Sequence, residues 1–180
     1  MNKPVLMITF IFMTLFGLSS ITQAQYVQIA DIGAYQFHQR ILSINSLANK
    51  GDNENVSISS LKKIASDATY DKYVIHLNDN SIAGNNAKPV IIGLQVNKAG
   101  YISEIIILSQ RGTSGARGIG YACKRILFSL GLSVDEYMSF VNQSKNNYIN
   151  VWCHSTNRRI NIERTVMKGL LACTLKATDI

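Results

Sequence analysis

The segment Ile105-Ile-Ile-Leu-Ser-Gln-Arg-Gly-Thr-Ser-Gly-Ala-Arg-Gly-Ile-Gly-Tyr-Ala-Cys-Lys-Arg-Ile-Leu-Phe-Ser-Leu-Gly131 constrains the fold more than any other stretch of the sequence. Its first four residues are apolar without interruption, and three of them are β-branched. A half-exposed strand alternates, so an unbroken run of this kind marks a central strand covered at least in part on both faces. Beyond a connection rich in glycine and arginine, Ala122, Cys123, Ile126, Leu127 and Leu130 fall at helical spacing on one face. Gly131 then supplies a natural stop.

The rest of the chain supplies neighbours for that strand. Lys72–Leu77 alternates and is rich in β-formers, and Pro89–Val96 and Tyr101–Leu108 flank Asn97-Lys-Ala-Gly100, a hairpin turn. Further on, Tyr148–His154 and Arg159–Glu163 alternate around Ser155-Thr-Asn-Arg158, a second hairpin. Gly169–Leu175 reads as a further strand or a closing helix, with alternation on the side of the strand. Helical spacing recurs at Phe37, Ile41, Ile44 and Ala48, ending near Lys50-Gly51. A short helix is expected around Ser59–Ala65. Ser133, with Glu136 three positions on, opens another helix running to about Asn142. Hairpin-linked strands with helices between them give an α+β class. The expected architecture is an antiparallel sheet of about five to six strands, with helices packed on one face of a single compact domain.

The N-terminus points to export. Met1-Asn-Lys3 is a short positive region, Pro4–Leu18 carries no charge, and Ser19–Ala24 ends in a small residue. This is the tripartite pattern of a secretory signal peptide, residues 1–24, leaving residues 25–180 as one domain in the periplasm or outside the cell. The apolar run sits at the low edge of the roughly 20 residues that span a bilayer, which disfavours a permanent anchor. Within residues 25–180 there is no internal repeat. The formal net charge of +7 is spread along the chain, without a basic run or a ladder of stacking aromatics, so nucleic acid is not an expected partner. An anionic envelope component remains compatible with it. The three cysteines form no C-x-x-C pair and the histidines lack zinc-ligand spacing, so no metal and no cofactor is expected. Cys153 and Cys173 fall in inward-facing rows of the terminal strands, and an oxidising compartment makes a Cys153–Cys173 disulfide the expected bond, with Cys123 a buried thiol.

The glycine-rich connection admits three readings. Gly112-Thr-Ser-Gly115 brackets Ser114 as some hydrolytic nucleophiles are bracketed, with His38, His76 or His154 as base and Asp67 or Asp79 to orient it. The Gly-x-Ser-x-Gly elbow is missing, however, which makes this the weakest reading. Backbone amides at a helix start, with Arg111 and Arg117 beside them, would suit an anion, although the glycine spacing matches no nucleotide fingerprint. The plainest reading is an exposed, flexible strand-to-helix connection. Candidate binding residues are Arg111, Thr113, Ser114 and Arg117, together with Trp152, whose phase opposite to Val151 and Cys153 turns it away from the core. With no catalytic constellation in the sequence, the expected function is a non-enzymatic one. The chain reads as a small exported bacterial binding module, of inhibitor or immunity type, directed at another protein such as a toxin or hydrolase. The alternative is an envelope-associated module holding an anionic lipid or glycan on the basic glycine-rich loop.

Overall fold

The computed structural model describes residues 28–52, 54–81 and 89–178. The expected signal segment, with its cleavage point before Gln25, lies outside the described residues. The described chain begins with α1 (Ala34–Gly51), followed by β1 (Val56–Ile58), β2 (Lys62–Ser66), β3 (Tyr70–Asp79), β4 (Val90–Asn97) and β5 (Ile102–Gln110). Two helices come next, α2 (Thr113–Ser129) and α3 (Val134–Asn142). The chain closes with β6 (Tyr148–Cys153), β7 (Arg158–Met167) and β8 (Leu170–Thr178).

These strands form one antiparallel sheet in the order β1-β3-β4-β5-β8-β7-β6, with β2 also paired to β3. Two meanders, β3–β5 and β6–β8, meet where β5 pairs with β8. The apolar run Ile105–Leu108 therefore does occupy the centre, and all four of its residues are buried. Its odd positions, Ile105 and Ile107, join the main core with Ile75, Leu77, Ile92, Leu94, Cys173 and Leu175. Phe37 and Ile41 of α1, Ile126 and Leu127 of α2 and Phe140 of α3 pack into that same core, so the helices share one face. The even positions Ile106 and Leu108 face the other way, clustering with Val74, Ile91 and Ala172. The β7–β8 hairpin turns through Lys168 (φ 42°) and Gly169 (φ 82°), consecutive left-handed residues of the kind that match strand twist.

The fold is α+β in a single domain, but it has more strands than the five to six expected. The helix expected around Ser59–Ala65 is instead the strand β2, paired with Asp71–Val74 of β3. Nothing in its side chains demands a strand. Its backbone is recruited by the otherwise unpaired edge of β3, where main-chain hydrogen bonds outweigh a weak local helical preference.

The glycine-rich connection is also different from expectation. Only Arg111 and Gly112 lie between β5 and α2, and the glycines beyond them are helical. A Cβ at position 115 would sit 1.8 Å from the Gln110 carbonyl oxygen, and one at 118 would sit 2.6 Å from Cγ2 of Val90. These glycines let the first turns of α2 lie directly against the strands. Local propensity, which costs about 1 kcal/mol per glycine, loses to close packing.

Polar contacts fix the other helices. Arg125 on α2 has no exposed surface; its guanidinium meets Glu54 at 2.8 Å and donates to Asn45 Oδ1 at 2.6 Å and Asn49 Oδ1 at 3.2 Å. It thus ties α2 to the end of α1. The expected cap at Ser133 is present, with Ser133 Oγ accepting from Glu136 N–H and Glu136 Oε2 accepting from Ser133 N–H. The other oxygen of Glu136 accepts from the backbone and ring nitrogens of His154, both at 2.6 Å, joining α3 to the β6–β7 turn.

The Cys153–Cys173 bond is not formed, and the register explains why. Strand β7 lies between the two, with Cys153 opposite Arg158 and Cys173 opposite Arg164. That places them two strand spacings apart laterally and about 20 Å apart along the strands. All three cysteines are buried and free, and the close pair is Cys123 with Cys173, Sγ to Sγ 4.0 Å.

Candidate functional site

The residues singled out in the sequence do not converge. Arg111 stays exposed, with its backbone N–H bonded to the Gly169 carbonyl at 2.9 Å, at the start of β8. Trp152 lies on β6 opposite Arg159, which in turn faces Thr178 at the far end of β8. At ~3.3 Å per residue those ends are about 26 Å apart. Trp152 does point away from the main core, its ring edge-on to His154 at 6.1 Å. Thr113 and Ser114 open α2, and Ser114 is exposed. No histidine ring is hydrogen-bonded to Ser114 among the described residues: His38 meets the Ser59 carbonyl and His154 meets Glu136. Arg117 lies 2.7 Å from Asp79, a carboxylate with only 6% of its side chain exposed, so its charge is already matched within the chain. One of the two cations of the supposed anion cradle is thereby committed elsewhere.

A different place gathers functional groups. A groove of about 350 Å³ opens where the first turn of α1 meets β3 and the β4–β5 turn. Its shape follows from two glycines. Gly100 takes φ +92° to close the hairpin, and a Cβ on Gly33 would stand 2.9 Å from the Gly100 carbonyl, so helix and turn come together only without one. Asn97 completes the turn, its backbone N–H donating to the Tyr101 carbonyl and its Oδ1 accepting from Tyr101 N–H at 3.0 Å. That turn presents Lys98 and Tyr101 to the groove.

Three tyrosines line it. Tyr35 is 71% exposed, Tyr101 is 37% exposed, and Tyr73 is nearly covered at 9%. The Tyr35 and Tyr73 rings meet edge to face at 6.2 Å, an arrangement that holds the exposed ring in place. Asp71 forms the charged wall. It accepts from Lys98 Nζ at 2.7 Å and Ser66 Oγ at 2.5 Å, and Lys63 Nζ lies 2.9 Å away. The Lys98 hydrogen bond, then those of Ser66 and Lys63, hold the Asp71 carboxyl far below the ordinary carboxylate range. Asp71 is thus a fixed anion shared by two lysines, and the surplus charge of the cluster is positive.

The start of α1 adds to that surplus. Its first turn carries no acidic residue. Gly33 N–H is taken by Gln36 Oε1 at 3.2 Å, while the following amides at the groove have no acceptor among the described residues. A helix start of this kind favours negative charge. The groove therefore combines oriented backbone donors and aromatic surface with the Asp71–Lys98 pair, and Lys63 also meets Asp71. Such an arrangement can hold an anionic group flanked by apolar atoms. Sequence reasoning missed it because Tyr35, Tyr73 and Tyr101 stand at a helix start, in mid-strand and after a turn, with no spacing that links them.

Comparison of this chain with protein-family models, with curated proteins and with solved structures finds no match.

Proposed function

We propose that this chain is a non-enzymatic binding module, acting after export, whose ligand is another protein held at the tyrosine-lined groove. The observation that carries this reading is the set Tyr35, Tyr73 and Tyr101 around the Asp71–Lys98 pair. Tyrosine gives large contact area with few rotatable bonds, and protein interfaces concentrate their binding energy in such residues. The positive surplus at the start of α1 selects an acidic side chain or a terminal carboxylate on the partner as the group that enters. Blocking a toxin or hydrolase, in the manner of an inhibitor or immunity protein, is the role that fits such a module. The alternative of an anionic lipid or glycan on the glycine-rich segment has less support, since that segment is helical and Arg117 is paired to Asp79.

A photo-crosslinking residue placed at position 35 or 101 of the exported protein tests the site. Both positions are expected to capture the same protein, and Lys98→Glu is expected to abolish capture. For the purified pair, Tyr35→Ala should weaken binding about 30-fold or more, the effect of losing a hot-spot residue worth about 2 kcal/mol. Capture at Trp152 or Arg111 but at neither tyrosine would place the interface elsewhere.

A further inference from the structure

We infer that Cys123 and Cys173 are a disulfide-forming pair, a bond that fastens α2 to β8 while Cys153 stays a thiol. The two Sγ atoms are 4.0 Å apart, and both side chains are buried in the core layer between helix and sheet. Reaching the ~2.05 Å of a bond closes the remaining gap by side-chain rotation together with movement of α2 toward β8. Cys153 is occupied elsewhere, its Sγ 3.2 Å from Ser155 Oγ and 3.9 Å from the Leu130 carbonyl. No other sulfur partner competes for either member of the pair among the described residues.

Cys173 faces Arg164 across the β7–β8 ladder. The Cys123 thiol as hydrogen-bond donor favours the Cys173 thiolate; burial opposes this, and the Arg164 guanidinium adds to the favourable side, so that Cys173 titrates below an ordinary thiol. Thiolate is the attacking form in disulfide exchange. During oxidative folding, the thiolate of one cysteine of the pair attacks one sulfur of an oxidant disulfide, such as glutathione disulfide. A mixed disulfide forms and one oxidant thiolate leaves. As α2 settles, the second cysteine of the pair loses its proton and attacks the sulfur of the first, forming the Cys123–Cys173 bond and releasing the second oxidant thiolate. Two electrons pass to the oxidant, and the protons lost by the two cysteines end on its two thiols. After closure the bond lies out of solvent, which protects it from reduction.

In the cell this bond depends on the export assumed above, but the competence of the pair does not, and the test separates the two. The full chain is unfolded in denaturant with reductant, then refolded in a glutathione–glutathione disulfide buffer. Thiols are then alkylated at low pH in denaturant, and the peptides are mapped without reduction. A Cys123–Cys173 linked peptide with Cys153 alone alkylated is the expected result. Three alkylated cysteines, or any bridge through Cys153, overturn the inference. Protein refolded with reductant throughout should melt below protein refolded oxidised, for wild type and for Cys153→Ala alike; equal melting temperatures for Cys153→Ala would also overturn the inference. Failure of export leaves this refolding result untouched.

Discussion

Gly115 and Gly120 lie in the same helix, yet alanine at these two positions is expected to act in opposite directions. Both substitutions gain the same intrinsic helix preference, about 1 kcal/mol, by removing backbone freedom from the unfolded chain. At position 120 a Cβ meets nothing within 4 Å, so Gly120→Ala should stabilise by about that amount. At position 115 the Cβ would fall 1.8 Å from the Gln110 carbonyl oxygen, 2.9 Å from Ser109 Oγ and 3.0 Å from the Gln110 carbonyl carbon. The obstruction is main chain of the buried strand β5, which cannot rotate aside, so the start of α2 must lift by more than an ångström. Overpacking of this sort costs about 1–3 kcal/mol, and backbone obstruction puts the cost at the upper end. Gly115→Ala should therefore melt below wild type and Gly120→Ala above it. At 2–4 °C per kcal/mol for a domain of this size, the two variants should separate by roughly 5–10 °C. Thermal unfolding followed by circular dichroism measures this directly. If Gly115→Ala were as stable as Gly120→Ala, the first turn of α2 would not lie against β5, and the segment would be the flexible connection its composition suggests.

Arg125→Ala takes from the covered Glu54 carboxylate its fully buried partner, leaving only Lys124, and leaves Asn45 Oδ1 without a donor, and should cost about 3 kcal/mol. Lys124→Ala, next to it but partly exposed and paired with half-exposed Asp52 as well as with Glu54, which keeps Arg125, should cost under about 1 kcal/mol. Urea midpoints at unchanged m-value compare them, and equal losses would remove the buried network from the account. Glu136 supplies a pH dependence. Burial pushes its carboxyl up, but hydrogen bonds from His154 and Ser133 more than reverse this and lower it from 4.5 to about 2. A depressed carboxylate contributes stability that is present above its unfolded value and lost as pH falls from about 4.5 toward about 2. Glu136→Gln should melt lower than wild type near neutral pH and lose less on acidification. Parallel acid limbs for the two proteins would contradict the assignment.

Much of the architecture was legible before any coordinates because hydrophobic period carries it. Phe37 and Ile41 set the inner face of α1, the unbroken Ile105–Leu108 run set the central strand, and Ser133 with Glu136 set the start of α3. Each of these is a local pattern whose meaning does not depend on what packs against it. The misreadings share the opposite property. Residues 62–66 form a strand rather than part of a helix because the edge of β3 needs partners for its backbone. Gly115 and Gly118 become helical because a strand lies where their side chains would have been. The two cysteines that meet do so across layers rather than within the sheet. The expected pair assumed that β6 and β8 were neighbours, but β7 lies between them and β8 pairs with β5. Which sulfurs approach is thus decided by strand order, a long-range property absent from local spacing. The groove belongs to the same class. Its walls come from α1, β3 and the β4–β5 turn, and its electrostatics depend on a carboxylate and two lysines brought together from separate strands and a turn. By itself the sequence determined the type and facing of most elements, since burial requires each to show one apolar side. Only the tertiary structure decided which elements touch, because that choice rests on backbone pairing and close approach, interactions that leave no period in the chain.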